Sequence, residues 1–276
     1  MNSSSTPSVP GPAFRGSFPL FELLNPRRLT PWVLLSVVVG VGAAWLGYYL
    51  WSIPLWISTL IVLVGMLPVG ILKWRDDKRR YGLAVMIISI LIVAQGTHTI
   101  EHLVQWVEYH ILYFTPRQSN GLLSPANSEW VHFIWNWTVL ITVIFLIVKG
   151  KVRNFWSFLL LGVAIGHTFE HTYSWVRFLQ VKDDLAALAL YSTSAQGLPG
   201  ILGRDGWLAR SPITCGTFIR DIPYLTTAIR LDIHFWWNAI EMTLSLFASH
   251  FFLKELGRPA SVPAVPAPGA LVSAPL

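Results

Sequence analysis

Charge is scarce in this chain. Only 12% of its residues are Asp, Glu, Lys or Arg, against about 25% in ordinary soluble domains. Cysteine is nearly absent. Cys215 stands alone, which excludes an internal disulfide and any all-cysteine zinc or iron–sulfur site. The first 29 residues hold no early apolar core, so they do not read as a cleavable signal peptide. The chain has no pair of adjacent histidines, and so lacks the double-histidine box of membrane desaturases and hydroxylases. Nothing in it points to nucleic acid: the net charge of +6 comes from basic residues gathered in short segments, where orientation in a membrane explains them better.

Apolar residues are abundant, at 53%, and several runs approach the roughly 20 residues that cross a bilayer. The pattern predicts an all-α integral membrane protein with about six transmembrane helices, near 31–50, 53–72, 82–112, 128–148, 154–180 and 226–254. Fourteen tryptophans, many near predicted helix ends, suit an interfacial aromatic belt. Residues 1–29 and the Pro/Ala-rich stretch 259–276 read as disordered flanks of a 30–258 membrane domain.

Charge sets the expected orientation. The stretch "KWRDDKRR", 73–80, carries five positive and two negative charges, and "KGKVR", 149–153, carries three positive ones. The connections after the third and fifth spans are neutral. Both termini and both basic segments are therefore expected in the cytoplasm.

Against this apolar background one polar pattern occurs twice. His98, Glu101 and His102 spell His-x-x-Glu-His in the third span, and His167, Glu170 and His171 repeat it in the fifth. The following spans carry "HFIWN", His132 to Asn136, and "HFWWN", His234 to Asn238. The order predicts two tandem hairpin repeats, 81–150 and 153–256, forming a duplicated-hairpin four-helix bundle with pseudo-two-fold symmetry about the membrane normal. At 1.5 Å rise per residue, the six histidines reach similar depths, roughly 20–30 Å above the basic ends. That places them in the outer, extracytoplasmic half of the bilayer.

Imidazole and carboxylate are transition-metal donors, and an unpartnered charge in mid-membrane costs roughly 2.5–3.5 kcal/mol. The expected ligands are His98, Glu101, His102, His132, His167, Glu170, His171 and His234, with Gln105, Asn136, Asn238 and Glu241 as outer residues that orient them. Carboxylates bridge iron pairs, which favours iron, with copper or zinc as alternatives. The resulting expectation is a di-metal oxidoreductase acting on a lipid-soluble substrate, with the bilayer and possible redox proteins as its partners. The alternatives are a bis-histidine haem-b electron carrier and a non-catalytic metal-binding or transport module. His-x-x-Glu-His also serves soluble zinc proteases, but two copies buried in apolar helices do not fit one such site. Glu108, His110 and His250 have no counterpart in the other hairpin, Asp232 marks an interface, and Cys215 reads as an incidental loop thiol.

Overall fold

The computed structural model describes Phe14 and residues 18–257. Most of the two expected flanks lies outside the described residues. Those residues are helical, with no strand. In chain order the helices are α1 (Pro19–Leu24), α2 (Thr30–Trp51), α3 (Leu55–Tyr81), α4 (Leu83–His110), α5 (Glu129–Val148), α6 (Phe155–Ala187), the single turn α7 (Trp207–Arg210) and α8 (Arg230–Leu256).

Four stretches, Arg27–Trp51, Leu55–Tyr81, Leu83–His110 and Glu129–Val148, are long and apolar enough to cross a membrane. α2 and α3 also carry large apolar side chains on their outer faces. Leu35, Val38, Val39, Trp45, Tyr49 and Val64 are all exposed, and an apolar surface of that extent marks contact with lipid. α6 and α8 are as long, but polar residues interrupt their apolar character. Those residues are buried: His167, Glu170, His171 and Ser174 on α6, and His234, Asn238, Glu241 and Ser245 on α8.

α4, α5, α6 and α8 pack around a common axis, with α4 against α8, α8 against α6, α6 against α5 and α5 against α4. α3 lies outside them on α4, and α2 lies on α3. The bundle has two layers. Toward the α3–α4 turn it is apolar, built from Val85, Ile88, Ile92, Val143, Leu160 and Leu253. Toward the other end it is polar, and the histidines lie there.

Local chemistry places the helix ends. Gly82, at φ +91°, turns α3 directly into α4, a backbone conformation that glycine adopts without strain. Asn154 caps α6: its side chain accepts from Ser157 N at 3.0 Å, and its own N–H donates to Ser157 Oγ at 3.0 Å.

Two expectations need correction. The flank drawn to residue 29 is too long, because α1 folds against α8 and buries Leu23 completely. The second span, expected to end near 72, continues as α3 to Tyr81, so the basic stretch 73–80 is helical. There Asp77, fully buried, pairs with Lys73 and Arg27; Lys73 Nζ also donates to Leu23 O at 2.6 Å and Ser89 Oγ at 3.0 Å. Opposite charges within the stretch thus neutralise one another and fasten α1 to α3 and α4.

At the other end a second buried pair closes the bundle. Glu129 is fully buried and accepts from Arg230 Nη2 at 2.7 Å and from Gly197 N at 3.2 Å. Arg230 also donates to the carbonyl of Leu198. The pair ties the starts of α5 and α8 to the segment between α6 and α8. Removing one member strands the other charge, at about 3–5 kcal/mol. Arg230→Ala is therefore expected to lower thermal stability strongly, and Glu129→Gln combined with Arg230→Gln much less; a double-mutant cycle on melting temperatures checks this.

Candidate metal centre

His98 and His102 lie one turn apart on α4, and His132 enters from α5. One nitrogen from each comes within 4.8 Å of the others. His102 Nε2 lies 3.4 Å from His132 Nε2. Two nitrogens bound tetrahedrally at about 2.0–2.1 Å from one ion lie roughly 3.3–3.4 Å apart, so the spacing is that of two ligands of a common ion.

Hydrogen bonds fix which nitrogens are free. Gln105 Nε2 donates to Glu101 Oε1 at 3.3 Å and Asn127 Oδ1 at 2.7 Å, so its Oε1 must accept. It accepts from His102 Nδ1 at 3.1 Å. His132 Nδ1 donates to the carbonyl of Ser128 at 3.3 Å. Each neutral imidazole has one proton, and in both rings it sits on Nδ1. The two Nε2 lone pairs therefore face each other with no proton between them. Nε2 of His98 is also buried without a hydrogen-bond partner. Buried polar atoms left this way are costly; a cation would take up the facing lone pairs of His102 and His132, and that of His98 with its proton on Nδ1.

The remaining histidines adjoin this triad. His171 stacks on His132 with ring centroids 4.9 Å apart, His234 is 4.9 Å from His171, and His171 Nε2 is 3.1 Å from His167 Nε2. Six histidines thus meet in one cluster. Among the described residues, however, only His98, His102 and His132 form a group of three with mutual ligand spacing. His167 Nδ1 lies 3.1 Å from Glu241 Oε1, out of hydrogen-bond alignment. Glu241 is held by Gln95 Nε2 at 3.1 Å.

The two glutamates of the repeated pattern are elsewhere. Glu101 accepts from Leu122 N at 2.8 Å and Leu123 N at 3.0 Å. Glu170 accepts from Ile201 N at 3.0 Å and Leu202 N at 3.2 Å. Both latch the segment that covers their own helix end, and neither belongs to the group with ligand spacing. Gly121 and Gly200 permit this: a Cβ on either would collide with the carboxylate of Glu101 or Glu170 respectively. The sequence does carry the signal, as "GLL" at 121–123 and "GIL" at 200–202.

The asparagines also differ from expectation. Asn136 Nδ2 and Asn238 Nδ2 donate to the carbonyls of His132 and His234, each at 2.9 Å, and do not touch the imidazoles. Gln105 Oε1, by contrast, lies 3.1 Å from His102 Nδ1. Gln95, unexpected, joins Asn238, Glu241 and Trp135; its place one turn before His98 on the same face was the available clue. His110 pairs with Asp232 at 2.7 Å, and His250 packs against Phe18 and Phe251, both away from the cluster. Glu108 accepts from Gly121 N at 2.8 Å.

Comparison of the chain with protein-family models, with curated proteins and with solved structures finds no match.

Proposed function

We propose that this chain is a multi-pass membrane protein that binds a transition-metal ion through His98, His102 and His132, and that the ion serves oxidoreductase chemistry on a lipid-soluble substrate. The observation that carries the reading is the 3.4 Å approach of His102 Nε2 to His132 Nε2, with the Nδ1 of each ring facing an oxygen. Gln105, itself tied to Glu101, holds the His102 ring, an arrangement that sets both tautomer and ligand strength. An imidazole donor set suits copper and zinc as well as iron. The argument for a carboxylate-bridged iron pair loses its support, because neither Glu101 nor Glu170 belongs to the group with ligand spacing.

A haem-b carrier is supported less. Histidines at i and i+4 of one helix share a face and cannot take opposite sides of a macrocycle, and the rings from different helices stack on one another. The absorption spectrum of the purified protein tests this. We expect no Soret band, and a Soret band would replace the histidine-held ion with haem. A non-catalytic metal-binding module would be indicated by zinc with no redox-active metal.

The six-span topology and the tandem duplication belong to the same proposal. Several matched contacts support the duplication: the two latches, the two asparagine bonds, and the bonds from Thr99 Oγ1 to Asn238 O and from Thr168 Oγ1 to Asn136 O. Orientation has a native reporter, since Cys215 is exposed in the segment between α6 and α8. An impermeant thiol reagent is expected to label Cys215 from the extracytoplasmic side, and to miss Lys78→Cys in a Cys215→Ser background. The reverse pattern inverts the topology.

A further inference from the structure

Seven basic residues stand where α2 begins and α3 finishes: Arg27, Arg28, Lys73, Arg75, Lys78, Arg79 and Arg80. Three of them are paired inside the protein. Asp77 takes Lys73 and Arg27, and Asp76 accepts from Arg80 Nε at 2.8 Å and from Arg27 Nη1 at 3.4 Å. Among the described residues, no hydrogen bond or ion pair holds the guanidinium groups of Arg28, Arg75 and Arg79. Membrane orientation asks only that positive charge lie on this side. It does not ask that unpaired arginines gather at one place, yet these three line one cavity of about 340 Å³ between the start of α2 and the end of α3. That volume falls within the roughly 300–1,000 Å³ of small-molecule sites.

Arg75 and Arg79 stand four apart on α3, a spacing at which like charges repel and weaken the helix. Asp76 is the one acid in the lining, and Arg80 and Arg27 already hold it. The cavity therefore keeps an excess of positive charge that the described residues do not balance. Its other walls are apolar. Trp32 lies one turn along α2 from Arg28, and Leu72 lies roughly 10 Å along α3 from Arg79 at 1.5 Å per residue; both line the cavity and are exposed, where hydrocarbon would meet them. We propose that this cavity holds the headgroup of a lipid of net negative charge, its phosphate clamped by Arg28, Arg75 and Arg79 and its chains beside Trp32 and Leu72. The planar fork of arginine matches phosphate oxygens two at a time, and basic recesses between spanning helices on the cytoplasmic side suit such headgroups. A zwitterionic headgroup brings its own cation against three guanidinium groups and is disfavoured. The proposal goes beyond the metal centre and rests only on the membrane placement of α2 and α3.

Native mass spectrometry of the full chain in detergent tests it, with phosphatidylglycerol and phosphatidylcholine of identical chains as probes. Phosphatidylglycerol should bind at least about tenfold more tightly. Arg28→Gln, Arg75→Gln and Arg79→Gln should each weaken its binding about fivefold, and the triple variant about 100-fold, at the worth of one basic residue near an anionic lipid. Binding of phosphatidylcholine should not change. Lys78→Gln is the control: it removes a charge at the same end of α3 but outside the cavity, and should leave the affinity for phosphatidylglycerol as it is. The arginine variants should keep the wild-type melting temperature without lipid, since no contact within the protein is lost. Soluble glycerol 3-phosphate separates a lipid from a free phosphate, and should fail to displace phosphatidylglycerol at equal concentration. Equal weakening by Lys78→Gln and the arginine variants would mean diffuse attraction to the surface and overturns the proposal. Equal affinity for the two lipids, or displacement by glycerol 3-phosphate at equal concentration, overturns it as well.

Discussion

Alanine at His102 or His132 is expected to weaken metal binding at least about 100-fold, the upper end of what loss of even an outer partner costs. Each substitution removes one of the two Nε2 atoms that lie 3.4 Å apart, and His98 with one remaining imidazole cannot complete the triad. His250→Ala should leave bound metal unchanged, because its ring packs among phenylalanines far along α8. His171→Ala is the sharper control. Its ring touches His132 but lies outside the set with ligand spacing, so the ion should remain. Equal loss in His102→Ala and His171→Ala, measured by elemental analysis after dialysis, would mean that the ion sits among all six rings rather than at the triad.

The second large effect is on stability. Glu170→Ala strips the N–H groups of Ile201 and Leu202 of their acceptor. At about 1–3 kcal/mol for each stranded group, the melting temperature should fall by roughly 10 °C, with cleavage by added protease moving into residues 188–229. Metal should stay bound. Gly200→Ala should reproduce the loss, since its methyl group would occupy the carboxylate's place. Glu101→Ala should loosen its segment in the same way and also lower metal affinity by about 10–100-fold, because Glu101 holds Gln105 and Gln105 holds His102. Loss of metal without loss of stability in Glu170→Ala would show the carboxylate to be a ligand.

How far the sequence carries follows from which interactions are local. Helical periodicity and the i, i+4 spacing fix a common face for His98 and His102, and the shared depth of His132 follows from counting along its own helix. The histidines are therefore legible from the chain. The role of the glutamates is not, because it depends on segments 20 to 30 residues away folding back over the helix ends. An expected ligand and an anchoring carboxylate look identical until the backbone N–H groups that reach it are placed. Arg230 illustrates the same limit: it reads as one charge in a neutral connection, yet it neutralises Glu129 across 101 positions of the chain. α1 was missed for a different reason. Its six residues are too few to show helical periodicity, and it is held by the burial of Leu23 and by the contacts of Lys73, from α3, and of Arg27, just beyond its own end.

The central claim is an ion held by imidazole nitrogens inside the bundle. X-ray absorption at the edge of whichever metal co-purifies with the detergent-solubilised wild-type chain addresses it directly. The account predicts nitrogen ligands at about 2.0–2.1 Å, the multiple-scattering signature of at least three imidazoles, and no sulfur. A protein that carries no metal as purified and takes up none of copper, zinc or iron on reconstitution would contradict it.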